Sequence, residues 1–574
     1  VMAKRIPYGI GNYAELVEKN CYFVDKTPYI ALLEGVQNPV YLRPRRFGKS
    51  LFCSLLRWYY DINAAPRFAE LFGNTWIGQQ PTGNQNRYMV LGLNFSTIVT
   101  GPTFQDIEHS FKRQCNSDLH HLRLNYPTLL SGTSDVVMED AVANNLESIL
   151  DYIQQLHLPP LYITIDEYDN FANQLITGNK DYLYQLLTAD DSFLKVFFKT
   201  LKKGRETGAI ANIFITGVLP VLIDDLASGY NIARFLTLNP RFETMVGFTQ
   251  LETNTLLNTV YEEYALAPES REEVDALLKN YYNGYHFANL TGEALYNSTS
   301  LMYFLDELTQ HSTIPKRLID VNLKTDISWV RRLTASNPAL TEEFVDQLTI
   351  HNTIGYDESF LVEKFDMHQF FEKGFFPISF FYLGMLTRRD DFYMKLPNVN
   401  MRQIFVEYFN EIHHIDVSTR YSEIMQTFIN QPNLEYLFAS YWREYVGQLP
   451  EAVFRQMNEN FYRTTFYELC SRYLSRWFTW NLERSYPQGQ SDLEFVGKFH
   501  ERYAGLRWVI EFKYYSNSEL KKLDTTIEAF ECRAEDTEQI NGYVQGLRQE
   551  YPEARIEKFV IYCFGNQGFR VFGV

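Results

Sequence analysis

The chain has 574 residues, with 53 Lys and Arg against 70 Asp and Glu and a formal charge of −17. At 45% hydrophobic and 16% aromatic content it is too apolar to be mainly disordered, and its length suits three or four domains of about 150 residues each. Its acidity excludes a protein that coats nucleic acid or anionic membrane with its whole surface, while leaving room for a local basic groove.

Six scattered cysteines (Cys21, Cys53, Cys115, Cys470, Cys532, Cys563) form no C-x-x-C pair, which predicts reduced thiols. The most apolar uncharged run, Ala209 to Ile223, is too short to cross a bilayer, and the N-terminus has no signal-peptide core. The expectation is a soluble cytoplasmic protein with no membrane partner.

From about Tyr8 to Phe287, short apolar runs (Val40–Leu42, Tyr88–Phe95, Leu161–Asp166, Asn212–Val218) alternate with amphipathic stretches. That pattern predicts an α/β unit with a parallel sheet over residues 1–287. After the first run comes Arg43-Pro44-Arg45-Arg46-Phe47-Gly48-Lys49-Ser50, then a helical pattern. A loop ending in G-K-S between strand and helix suits phosphate binding. Lys49 would contact the β- and γ-phosphates of ATP, and the Ser50 hydroxyl would hold Mg²⁺. Arg43 stands where the first Gly of the common pattern belongs, and Arg45 and Arg46 offer guanidinium groups beside the phosphates. A chance G-K-S at a helix start is the competing reading.

The apolar strand Leu161–Asp166 ends in Asp166-Glu167, 117 residues after Lys49. Asp166 would hold the Mg²⁺ water shell and Glu167 would orient or deprotonate the attacking water; a plain helix cap is the alternative. Thr216, ending the next strand, is placed to sense the γ-phosphate. Arg234 and Arg241 are candidate arginine fingers, with a surface role favoured for both. Thr249 and Glu252 predict a capping box opening a helix.

Over residues 288–439 helical spacings dominate, with a helix end, polar turn and short hairpin expected within Phe380–Asn398, as in a winged-helix lid. Residues 440–574 form a third unit, with helices followed by strands. If Val509–Lys513 is a strand, Glu511 and Lys513 share one face. The 18 residues between Asp492 and Glu511 allow a return turn that brings both carboxylates together. Two such acids make a hard-oxygen Mg²⁺ site, and an adjacent lysine can stabilise phosphorane charge, as in a metal-dependent phosphodiesterase. An edge strand with a solvated ion pair is the competing reading. Gln539 and Tyr543 are four apart, compatible with lining a nucleic-acid groove; a core-facing Tyr543 is equally compatible.

The sequence resembles bacterial proteins with an N-terminal AAA-ATPase-like domain and a C-terminal nuclease domain of the PD-(D/E)xK superfamily. The resemblance is carried by VDKT at Val24–Thr27, RPRRFGKS at Arg43–Ser50, YITIDEYDN at Tyr162–Asn170 and FITGV at Phe214–Val218. It continues through Gly229–Phe242, GFT at Gly247–Thr249, YNGYHF at Tyr282–Phe287, LPN at Leu396–Asn398, NLERSYPQGQSD at Asn481–Asp492 and IEFK at Ile510–Lys513. It implies ATP binding and hydrolysis through Lys49, Ser50, Asp166 and Glu167, with Arg43 as the family's own form of the loop. It also implies a nuclease site of Glu483, Asp492, Glu511 and Lys513, followed by a helix containing Gln539. Gln490 departs from the Arg common in the family, which predicts altered backbone contacts with nucleic acid.

The expectation is an ATP-regulated, Mg²⁺-dependent nuclease acting on nucleic acid, DNA in preference to RNA, with homo-oligomerisation open. The rival is an ATP-dependent signalling switch whose nuclease-like domain is a non-catalytic sensor. Residues 440–574 carry 17 Lys and Arg against 19 Asp and Glu, so the acidity lies chiefly outside the nuclease-like unit. Nucleic-acid contact is therefore expected there, and sensitive to salt.

Overall fold

Five strands, β1 (Pro39–Leu42), β2 (Met89–Asn94), β3 (Leu161–Asp166), β4 (Ile210–Gly217) and β5 (Arg234–Phe235), form a parallel sheet in the order β2-β3-β4-β1-β5. β1 and β3 are buried throughout, as strands covered by helices on both faces must be, and this is why they read as continuous apolar runs. β4 lies between β1 and β3, so the loops after β1 and β3 open at the same carboxyl edge of the sheet, where α/β proteins bind ligands. The computed structural model describes residues 2–226, 229–318, 331–332, 335, 338–362 and 366–574.

The capping box of Thr249 and Glu252 is present and opens the helix Gln250–Glu263. Further helices follow at Arg271–Tyr282, Ser298–His311, Pro338–His351 and Val399–Ile412, with a small antiparallel sheet among them. Its strands β6 (Thr353–Gly355), β7 (Thr387–Arg388) and β8 (Tyr393–Lys395) lie in the order β6-β8-β7, and β7–β8 is the hairpin expected between Phe380 and Asn398.

The C-terminal part starts with helices, including Glu459–Leu474, and continues as β9 (Phe478–Leu482), a two-residue ribbon of β10 (Ser485–Tyr486) and β11 (Gly489–Gln490), β12 (Leu493–Gly497) and β13 (Leu506–Tyr515). The helix Ala534–Glu550, β14 (Arg555–Phe564) and β15 (Gly568–Gly573) complete it. The sheet order is β15-β14-β13-β12-β9, with β13 and β14 parallel and the other pairs antiparallel. The edge strand β15 extends past the last apolar run read from the sequence.

One buried apolar cluster runs from Ile6 to Cys563 through all three parts. Among the described residues no helix is long and apolar enough to cross a membrane. Cys21, Cys53, Cys115, Cys470 and Cys563 are buried, and all six cysteines are unpaired.

Candidate active sites

The loop after β1 bends back through Arg46 (φ 72°) and Gly48 (φ 90°), the left-handed region that glycine enters freely and arginine enters at a cost of about 1 kcal/mol. It then feeds the helix Lys49–Tyr60. Lys49 is buried, with its Nζ donating to the carbonyls of Arg43 and Pro44 at 2.8 Å each. Burial pulls its ammonium down to about 8, opposed by Asp166, Asp169 and Glu167. Ser50 Oγ donates to Asp166 Oδ2 at 2.5 Å, joining the loop to the end of β3. Glu167 sits at φ 48° with its N–H on Asp166 Oδ1 at 2.8 Å. Burial, and then Asp166, raise its carboxyl above the ordinary range. A cavity of about 470 Å³ opens over these groups, lined also by Arg45, Arg46, Tyr8 and Met245.

Two of the residues expected around ATP turn elsewhere. The Arg43 guanidinium is buried between the rings of Tyr41 (4.4 Å) and Phe287 (4.1 Å), donates to the carbonyls of Leu42 and Thr237, and lies 3.8 Å from Glu243. Here it ties the strand end to the following region and does not face the cavity. Thr216 Oγ1 donates to Tyr41 O at 2.6 Å within the sheet. Arg234 and Arg241 are exposed and outside the cavity lining. Asp169, which lies in the Tyr162–Asn170 motif but was given no role there, accepts from the backbone of Val218 and Leu219 and from Asn173, and so fixes the loop after β4.

In the C-terminal sheet, Leu493 pairs with Ile510 on one side and Leu482 on the other. Continued by one residue, this register sets Asp492 between Glu511 and Glu483, and Glu483 N donates to Asp492 O at 3.1 Å. Asp492 Oδ2 accepts from Phe512 N at 2.8 Å. Glu511 is 1% exposed, its Oε1 has no hydrogen-bond partner, and burial followed by the adjacent Asp492 raises its pKa far above the carboxylate range. Arg463, from the helix Glu459–Leu474, grips Asp492 Oδ1 and Glu483 Oε1, both at 2.7 Å. Arg402, from the helix Val399–Ile412, grips Glu483 Oε2 at 2.8 Å. Burial works against ionisation of Glu483, and the two arginines overcome it, drawing its pKa down to about 2.

Lys513 Nζ donates to Gln539 Oε1 at 3.1 Å and lies 3.6 Å from Asp536. Burial opposes its charge, and Asp536, Glu511 and Asp492 more than offset that, raising its pKa. Gln539 donates in turn to the Tyr543 hydroxyl at 2.7 Å, but the Tyr543 ring is buried against Tyr486, so only its hydroxyl reaches toward the site. Gln490 is exposed and donates to Glu483 O at 2.5 Å. Arg463, Arg402 and Glu459, whose carboxyl burial and then Asp492 raise, border the site without having been read from the sequence.

Both donor sets suit a hard divalent cation. At the first, a serine hydroxyl and a carboxylate meet; at the second, two carboxylates adjoin with one oxygen unpartnered. Glu483 does not join Asp492 and Glu511 in one ligand sphere. Among the described residues, the trio of acidic or His side chains with ligand atoms within 4.8 Å of one another is Glu342, Asp346 and His413, in the middle region.

These features define a phosphate-loop ATPase-like unit and a nuclease-like unit on one chain. Residues 7–227 match the family model of a predicted AAA-ATPase, and residues 457–572 match that of the PD-(D/E)XK nuclease superfamily. The two matched segments agree with the domain architecture that the sequence resemblance implied. It is also 26% identical over 319 residues, 52% of its length, to a protein of Azotobacter chroococcum mcd 1 named "Uncharacterized protein in vnfD 5'region". The chain spans about half the length (51%) of that curated relative.

Proposed function

We propose that the chain binds and hydrolyses ATP at the first site and cleaves nucleic-acid phosphodiester bonds with Mg²⁺ at the second, the nucleotide state controlling the nuclease through the middle region. The observation that carries this reading is a continuous set of contacts between the sites. Gly384 packs on Pro44 of the phosphate loop, and Phe287 stacks on Arg43. Arg388 of β7 donates to Phe287 O at 3.3 Å, Thr387 exchanges hydrogen bonds with the backbone of His286, and Asn398 donates to Asn283 O at 2.9 Å. Asn398 caps the helix Val399–Ile412, whose first turn carries Arg402 to Glu483. Movement of the phosphate loop would thus be felt at a nuclease carboxylate.

At the first site, Lys49 would exchange its two carbonyl partners for β- and γ-phosphate oxygens, Arg45 and Arg46 would add positive charge, and Glu167 would accept a proton from water. Ser50 and Asp166 would hold the accompanying Mg²⁺. At the second, Asp492 and Glu511 would hold Mg²⁺, which when bound supplies Lewis-acid polarisation of the phosphoryl oxygen and an acidified water. Lys513, steadied by Gln539, would stabilise phosphorane charge, while Glu483, restrained by Arg402 and Arg463, would orient the substrate side of the site. DNA is the favoured substrate, and the near balance of charge in residues 440–574 points to modest, salt-sensitive affinity. The test is to incubate the protein with Mg²⁺ and labelled DNA and RNA, with and without ATP. Cleavage is expected from the parent chain and lost in Asp492→Ala and Lys513→Ala; no cleavage, or cleavage indifferent to both substitutions, refutes the reading.

The grip of Arg463 on two of the carboxylates favours a second reading, an ATP-binding switch with a non-catalytic sensor domain. It predicts stoichiometric bound nucleotide and negligible phosphate release.

A further inference from the structure

The small sheet of the middle region stands beside the nuclease carboxylates. Its strand β6 follows the helix Pro338–His351, and the end of that helix is held by the helix that carries Arg463: Asn460 donates to Ile350 O at 2.7 Å, and the Asn458 amide meets His351 Nδ1 at 3.0 Å. The central strand β8 ends at Lys395, shortly before Asn398, which caps the helix that sends Arg402 to Glu483. The sheet is thus tied to both helices whose arginines hold Glu483.

Strand alternation puts Tyr393 and Lys395 on one face of β8 and the buried Met394 on the other. Lys395 is half-buried and has no carboxylate within ion-pair distance among the described residues. Burial, and then the neighbouring Arg402, hold its ammonium below the ordinary lysine range, against the pull of Glu483. Next along the same face, the Tyr393 ring is 43% exposed, with the Arg389 guanidinium 4.5 Å from its centroid, and Phe392 at the hairpin tip is 73% exposed. Neither ring packs in the apolar core. The hairpin's two acids are engaged: Asp390 accepts from Phe392 N, Tyr393 N and Arg389 Nε, and Asp391 lies 3.4 Å from Arg388. Lys395 is left as the uncompensated charge.

Two routes lead away from Glu483, whose side chain is 30% exposed. One is a cleft of about 340 Å³ lined by Glu272, Asp275 and Glu550 against Lys279 and Arg484, so that with Glu483 its carboxylates outnumber its cations. A polyanion is repelled there. The other route crosses β8, where a free cation is followed by exposed rings. That combination suits unpaired nucleic acid, whose phosphates seek the cation and whose bases stack on the ring. A duplex keeps its bases stacked inside and has none to offer Tyr393.

We propose that this face of β8 binds the substrate as a single strand, with a phosphate on Lys395 and an unpaired base stacked on Tyr393, and so leads it to the nuclease carboxylates. The inference rests on the nucleic-acid reading proposed above and adds the strandedness of the substrate and the residues that select it. Arg389 backs the Tyr393 ring as a cation–π partner.

The experiment follows fluorescence anisotropy of labelled oligothymidylate, alone and paired with its oligoadenylate complement, and of single-stranded oligouridylate, with the parent chain in EDTA, where Mg²⁺-dependent cleavage cannot proceed. Saturable binding of a single strand, tighter than that of the duplex, is expected. Lys395→Gln should weaken it and lower the salt slope of the logarithm of affinity by about 0.7, the share of one single-strand phosphate. Tyr393→Ala should weaken it about fivefold or more with the salt slope unchanged, and Tyr393→Phe, which keeps the ring, should bind as the parent does. Unchanged melting temperatures in these chains separate lost contacts from misfolding. Binding that Lys395→Gln and Tyr393→Ala leave unchanged overturns the proposal and spares the nucleic-acid reading, whereas binding of no oligonucleotide overturns both. Equal or tighter binding of the duplex overturns the assignment to a single strand.

Discussion

Binding of Mg²⁺ at Asp492 and Glu511 is expected to expel a proton. Glu511 is almost wholly buried, carries an unpartnered oxygen and adjoins the Asp492 carboxylate, so its own carboxyl is raised and keeps its proton at neutral pH. A divalent cation needs both groups charged. Because the folded pKa is raised, the proton stays bound from the ordinary carboxylate value upward, and each pH unit gained within that window makes its removal about 1.4 kcal/mol easier. Apparent Mg²⁺ affinity should then rise about tenfold per unit, or about a hundredfold from pH 6.5 to pH 8.5. Calorimetric titration in buffers of different ionisation enthalpy measures both quantities: the affinity slope and about one proton released per ion. Glu511→Gln should bind weakly, with no slope and no release. The same linkage runs through stability. Above the unfolded carboxylate value the unfolded chain has shed a proton that the folded chain keeps, so without metal the contribution of Glu511 falls as pH rises, and Glu511→Gln should gain on the parent chain at alkaline pH. Mg²⁺ affinity independent of pH in the parent chain, with no proton release, would refute the reasoning.

Arg43→Lys keeps the charge but loses the guanidinium plane between Tyr41 and Phe287 and the fork to two carbonyls, so a loss of about 2–4 kcal/mol is expected, read as a lower melting temperature. Gly384→Ala places a Cβ 2.5 Å from Pro44 Cβ at φ 81°, and should remove the effect of ATP on cleavage while equilibrium dialysis shows ATP binding retained. Arg402→Met frees Glu483 from the middle region and leaves Arg463 in place; ATP-free cleavage is expected to rise by about five-fold or more, with a smaller response to ATP.

What was legible in the sequence was local. The phosphate loop and the Asp166–Glu167 strand end could be read because strand, turn and helix are contiguous there and their apolar runs are fully buried. Asp492, Glu511 and Lys513 could be grouped because strand alternation fixes which side chains share a face and the intervening 18 residues leave room for a return turn; the register itself, Leu493 opposite Ile510, came from the structure. Side-chain direction could not be read: Arg43 lies in the loop motif yet turns into the core, and Tyr543 shares a helix face with Gln539 yet buries its ring. Arg402 and Arg463 were invisible because they come from helices 81 and 20 residues before Glu483, with no spacing that marks them. β15 was missed because a six-residue edge strand bounded by glycines carries too short a pattern.

The central claim is that ATP at Lys49 controls cleavage at Asp492. Its most direct measurement is the initial rate of Mg²⁺-dependent cleavage of labelled DNA, with and without ATP, in the parent chain, Lys49→Ala and Asp492→Ala. The account predicts that ATP accelerates cleavage by the parent, has no effect on Lys49→Ala, and that Asp492→Ala is inactive throughout. An equal ATP response in Lys49→Ala, or cleavage surviving in Asp492→Ala, would contradict it.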